Sequence, residues 1–189
     1  MPRRWLVGLL VGLVAGLLLV PGGAHAATVS QQAAAAPATS HHGVSSFDRH
    51  FMRAAAQAGL FEIRSSRLAL ARSHDRRVRA FARRMIRDHT RMAAMLAALA
   101  ARKGVTLPQR PNAQQRAILR RLAGLHGRAF DRAYIAAQIR AHIQAIALFR
   151  LEVHFGSDRQ VRALAAASLP TLRLHLRLAR RVAAHLCHN

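Results

Sequence analysis

The chain has 189 residues, 30 Lys and Arg against seven Asp and Glu, and a formal net charge of +23. That length holds one domain with a proper core plus appendages, and excludes two comfortable domains. The single cysteine, Cys187 near the C-terminus, excludes an internal disulfide framework, so packing must supply the stability; the thiol is left either to fray or to bridge two chains.

The first stretch, "MPRRWLVGLLVGLVAGLLLVPGGAHA", has Arg3 and Arg4, an apolar run from Trp5 to Val20, the breaker Pro21-Gly22-Gly23 and the small-x-small triplet Ala24-His25-Ala26. This is the pattern of a secretory signal peptide cut after Ala26. An uncleaved anchor is the alternative, but the apolar run falls short of the ~20 residues of a spanning helix. Cleavage takes Arg3 and Arg4 away and lowers +23 by two, to +21. The expected location is therefore the periplasm or cell envelope.

Residues 27–46, "ATVSQQAAAAPATSHHGVSS", are small and polar without a sustained apolar period and read as a flexible tether. His41-His42 there are linker residues or a loose metal contact. From residue 47 to 187 the pattern is helical throughout, rich in alanine, leucine and arginine. Ser45 or Ser46 caps a first helix reaching about Arg72. Ser73 with Asp75 opens a second, which Gly104 closes before the loop "VTLPQRP". Asn112 starts a short connecting helix that ends near "LHG". A third long helix spans Ala129 to Phe155 and stops at Gly156, and Ser157-Asp158 opens the fourth, with Pro170 inside it expected to kink it. Four long helices and one connector predict an all-α bundle.

Unrolling each helix at about 100° per residue shows where its histidine points. Around His89 the flanking face is Val78, Ala82, Met85, Met92, Ala93 and Leu96, and the arginines of that helix lie elsewhere. His142 shares a face with Asp131, Ile135, Ile139, Ala145, Ile146, Phe149 and Val153. His175 shares one with Leu164, Thr171, Leu172, Leu178, Ala179, Val182 and Leu186. Glu62 lies on the arginine-poor side of the first helix.

All four fall near the middle of their helices, so an up-down bundle brings one carboxylate and three imidazoles to one level. That is a first shell suited to copper, zinc or iron. Met85 and Met92, one turn either side of His89, offer thioether sulfur, which favours copper. Taken singly, each inward histidine also reads as a hydrogen-bonded core residue and each methionine as filler.

Among the other acids, Asp48, Asp75 and Asp158 fall in first turns, where the helix dipole favours them, and Asp131 lies near the start of the third long helix. Asp88 forms a salt bridge with Arg84 or Arg91, or supports the histidines from behind. Glu152 lies ten residues beyond His142, about 15 Å along the axis, and does not share the site. No Glu-x-x-His pair occurs at matched positions, so the di-iron carboxylate constellation is missing and ferroxidase or oxygenase chemistry is disfavoured. The chain also lacks a nucleophile paired with a base, a phosphate-binding glycine loop and the interleaved aromatic and basic residues that read bases.

The stretches "FMRAAAQAGLFEIRSSRLA", "VRAFARRMIRDHTRM", "FDRAYIAAQIRAH", "ALFRLE" and "SLPTLRLHL" resemble a bacterial family of exported proteins catalogued as domain of unknown function 4142. The resemblance covers residues 47 to about 186. It implies a ferritin-like four-helix bundle and points to Glu62, Asp88-His89, His142 and His175, but implies no activity. Ala141 departs from the family pattern, where an aspartate commonly precedes the histidine, and this argues against a carboxylate-rich metal centre. The arginine content is also unlike the family.

Two functions follow. The first is an exported bundle that binds one transition-metal ion through Glu62, His89, His142 and His175. The second is a non-catalytic envelope or stress protein presenting a basic surface to anionic lipid or polysaccharide, export making nucleic acid an unsuitable partner. An enzyme ranks behind both.

Overall fold

A computed structural model describes residues 44–188, so the expected leader and most of the tether lie outside the described residues. Five helices follow in order: α1 (Ser46–Arg72), α2 (Arg76–Arg102), α3 (Ala113–Ala123), α4 (Gly127–Phe155) and α5 (Arg159–His188). No strand occurs among the described residues. The four long helices pack as a bundle in which α1 touches α2 and α4, and α5 touches α4 and α2; α3 lies against α1 and α4. No helix of the described residues is long and apolar enough to cross a membrane.

The helix ends follow from local chemistry. Ser45 and Asp48 form a reciprocal capping box at the start of α1, and Asn112 and Gln115 form another at the start of α3. Asp75 caps α2 by accepting from the backbone N–H groups of Arg77 and Val78. At the other end of α2, Gly104 takes φ +64° and the Val105 N–H bonds back to the Ala100 carbonyl at 2.9 Å. Val105 is thereby folded into the core. The ordered bundle begins earlier than the tether boundary at residue 46 suggests: Val44 is buried, and α1 starts at Ser46. α4 likewise starts two residues before Ala129, and α5 runs unbroken through Pro170.

The core comes in two blocks. One gathers the start of α1, the end of α2, the end of α4 and the start of α5, with Phe51 and Phe149 edge to face at 4.9 Å. The other gathers the end of α1, the start of α2, the start of α4 and the end of α5 around Phe81, Phe130 and Tyr134. On each long helix a short gap separates the two blocks, and those gaps contain Glu62, His89, His142 and His175.

Asp48 clamps one end of the bundle. Besides its capping-box contacts, its Oδ1 accepts from the backbone N–H groups of Ser157 (2.9 Å) and Asp158 (3.3 Å), tying the start of α1 to the α4–α5 turn. Lys103 at the end of α2 reaches Asp158 at 2.6 Å across the same end. Glu152 is fully buried here, in space kept open by the missing side chain of Gly156. Burial and the neighbouring Asp48 carboxylate push the Glu152 carboxyl up to about 8.

Two predictions follow. Asp48→Ala removes the partner of buried or half-buried N–H groups on two elements and is expected to cost about 2–4 kcal/mol in urea unfolding. Because Glu152 titrates higher in the folded chain, the unfolded chain gives up its proton first. Stability is therefore lost as pH rises from the ordinary 4.5 through about 8. Glu152→Gln should gain on the wild type as pH rises through that window; a constant difference between the two would contradict the assignment.

Candidate metal centre

Each of the four long helices delivers one side chain to the level between the two apolar blocks: Glu62 from α1, His89 from α2, His142 from α4 and His175 from α5. All four are buried, none more than 2% exposed. The imidazoles form a nearly regular triangle, with ring centroids 5.6, 5.2 and 5.4 Å apart. One nitrogen from each ring lies within 4.8 Å of the other two.

Every ring is held by one nitrogen. His89 Nδ1–H donates to Glu62 Oε2 at 3.0 Å, His142 Nδ1–H to the Gln138 carbonyl at 2.8 Å, and His175 Nε2–H to Asp88 Oδ2 at 2.9 Å. These bonds assign the tautomers and leave His89 Nε2, His142 Nε2 and His175 Nδ1 as lone-pair atoms. All three are buried without a hydrogen-bond partner, and so is Glu62 Oε1. His142 Nε2 and Glu62 Oε1 are 3.6 Å apart, close to the roughly 3.4 Å edge of a tetrahedron with ~2.1 Å metal–ligand bonds. A ring nitrogen backed by a carboxylate or carbonyl, with its partner nitrogen left over, is the arrangement of a metal-binding histidine.

The electrostatics suit a cation. Burial pushes His142 below its ordinary value, a trend reinforced by His89 and opposed by Glu62. Burial takes His175 down to about 4 despite its bond to Asp88. Both rings are therefore neutral at pH 7. Burial opposes ionisation of Glu62, but electrostatic attraction to the adjacent His89 and His142 imidazoles and the His89 hydrogen bond outweigh it and hold the carboxyl below its usual range. The result is an anionic carboxylate beside two neutral imidazoles.

Beside Glu62 and His89 a cavity of about 40 Å³ opens, lined also by Ala58, Gly59, Ala93 and Ser168. It is large enough for a water molecule. Met92, half-buried, lines this cavity, whereas Met85 is fully buried in the apolar block with Val78, Phe81 and Tyr134. Asp88 is both things the sequence allowed, lying 3.7 Å from Arg84 and holding His175 from behind. Glu152 sits at the bundle end with Asp48, away from the imidazoles.

Sequence reasoning missed the polar strip below the centre, where Gln138 Nε2 donates to Ser65 Oγ and Ser66 Oγ bonds Tyr134 Oη, each at 2.8 Å. Two spacings carried the signal: Gln138 lies one turn before His142, and Ser66 one turn after Glu62.

Residues 30–182 match the family Domain of unknown function (DUF4142). The chain belongs to this family. Among solved structures, this DUF4142 protein is similar to a DUF305 fragment from Deinococcus radiodurans, at 20% identity over 76% of this chain and 99% of that one, with a TM-score of 0.68. It is also similar to a DUF305 protein from Streptomyces coelicolor, at 15% identity over 74% and 92% of the two chains, with a TM-score of 0.64. These likenesses show the helical fold alone. No curated protein matches the chain.

Without metal, the centre should make the bundle acid-sensitive. The unfolded chain protonates its histidines near 6.5, before His142 and before His175 at about 4, so stability falls as pH drops through that interval. The Glu62 carboxylate adds its own loss further down. Chelator-treated wild type is expected to lose thermal stability steadily from pH 6.5 to 4, and a His142→Gln/His175→Gln double variant to show a much flatter profile.

Proposed function

We propose that this DUF4142 protein is an exported, ferritin-like up-down four-helix bundle that binds one transition-metal ion through His89, His142 and His175, with Glu62 as the oxygen donor. One observation carries the reading: nitrogens of three buried histidines on three different helices lie within 4.8 Å of one another, and Glu62 Oε1, buried and unpartnered like a nitrogen on each ring, lies 3.6 Å from His142 Nε2. Leaving such atoms unpaired costs about 1–3 kcal/mol each, more for a charged group, and one cation satisfies all of them. A set of three nitrogens and one oxygen suits zinc or divalent copper better than iron. Export is supported by the leader-like residues 1–26 and by the Streptomyces relative, whose name calls it secreted.

Metal analysis of protein purified without a histidine tag tests this. The wild type is expected to carry about one zinc or copper per chain, and His89→Ala/His175→Ala none; equal, near-zero occupancy in both would remove the reading. Asp88→Asn keeps all four donors but loosens His175, and is expected to weaken metal binding about 10–100-fold. At a metal concentration 100 times its Kd, the wild type gains about 2.7 kcal/mol in unfolding and the double variant nothing.

A second reading rests on a different observation. None of the seven carboxylates is exposed. The three that are half-buried are all engaged: Asp75 with His185, Asp88 with His175 and Arg84, and Asp158 with Lys103. The accessible charge is therefore cationic, which suits an envelope protein that adheres to anionic lipid or polysaccharide. The charge-driven part of such adhesion to anionic vesicles should collapse as salt rises from about 0.1 to 0.5 M; absent binding at low salt would end this reading.

A further inference from the structure

Three of the five exposed large apolar residues among the described residues lie along α4: Ile143 (47% exposed), Leu151 (46%) and Phe155 (60%). With exposed Ala147 they recur every fourth residue, so each lies beside the next on a stripe that winds slowly around the outer side of the helix, and Leu151 and Phe155 share one face. Phe155 is the last residue of α4 and stands at the corner before the α4–α5 turn. Beside this stripe, against α5, lies an open trough of about 660 Å³. Leu151, Val153, Phe155 and Leu169 give it an apolar floor, and Arg150 and Arg173 stand at its rim. The feature is separate from the candidate metal centre, with which it shares no residue.

Extending the second reading above, we propose that the α4 stripe and its trough are the face that seats on an anionic lipid bilayer, with Leu151 and Phe155 entering the headgroup region and Arg150 and Arg173 meeting lipid phosphates. The chemistry selects this occupant. Apolar side chains mixed with arginine on one helix face match the boundary between acyl chains and anionic headgroups. A second copy of the chain fits poorly: pairing two such faces would bring their arginines together, and no exposed carboxylate is available on either copy to answer them. An acidic polysaccharide would satisfy the arginines but would leave Leu151 and Phe155 in water.

The test uses the chain from Ala27 onward, which retains both apolar core blocks and every contact described above, and which lacks the apolar leader that would itself enter lipid. Vesicles of mixed phosphatidylglycerol and phosphatidylcholine are floated with wild type, with Leu151→Ser/Phe155→Ser and with Met95→Ser, an exposed apolar residue on α2. Pure phosphatidylcholine vesicles serve as the neutral comparison. At about 0.5 M salt, where charge attraction is largely screened, the wild type is expected to keep a bound fraction on the anionic vesicles and Met95→Ser to match it. The double variant should fall at least about fivefold, since it has lost the apolar contribution, while still binding at low salt.

A second readout is independent of affinity. The only tryptophan is Trp5, so Phe155→Trp in this shortened chain is the sole indole, and its emission should shift to the blue on anionic vesicles. Low-salt binding that is the same for wild type and double variant, with no blue shift, would overturn the stripe proposal while leaving the adhesive reading standing. No binding at any salt would remove both. A wild-type dimer in sedimentation that becomes monomeric on Leu151→Ser/Phe155→Ser would overturn the proposal in favour of a contact between copies.

Discussion

A carboxylate shut inside a helical bundle must be answered by charge or hydrogen bonds, because an unpaired buried charge costs more than most packing can return. Glu62 imposes that demand on the centre of this fold. Its Oε2 accepts a hydrogen bond from His89 Nδ1–H, which orients the first ring. The remaining oxygen faces His142, and the three rings then stand within reach of one another. The apolar core is divided around this polar layer, so packing above and below holds the rings at one height. Precision at the centre thus comes from two blocks of ordinary side chains.

Much of the fold was legible because the chain is strongly punctuated. Asp75, Gly104, Asn112 and Gly156 end or begin helices for local reasons, and local chemistry survives folding. The inward direction of His89 and His175 was legible for a related reason: arginine is so abundant that the faces it avoids are conspicuous. The common level of Glu62, His89, His142 and His175 followed from their mid-helix positions.

What a single helix cannot reveal is which neighbour answers which atom. The Asp88 carboxylate looked like a partner for arginines on its own helix, and one of them is near it, yet its shorter bond goes to His175, 87 residues away. The union of Asp48 with the turn at Ser157 depends on the relative height of α1 and α4, a quantity that no helical period contains. The rotation of α4 also decides that Ile143, Leu151 and Phe155 face outward while His142 and Phe149 face inward. Their hydrophobicity alone says nothing of that.

The placement of the acids has one more consequence. With every Asp and Glu of the described residues buried or half-buried, the exterior is dominated by guanidinium groups, which keep their protons at any ordinary pH. Acid does not remove this charge. An adhesive hold of the kind proposed above would therefore persist as the surroundings turn sour, while the buried His142 and His175 take up protons and weaken the bundle. The outer shell would keep its charge under conditions that loosen the inner layer.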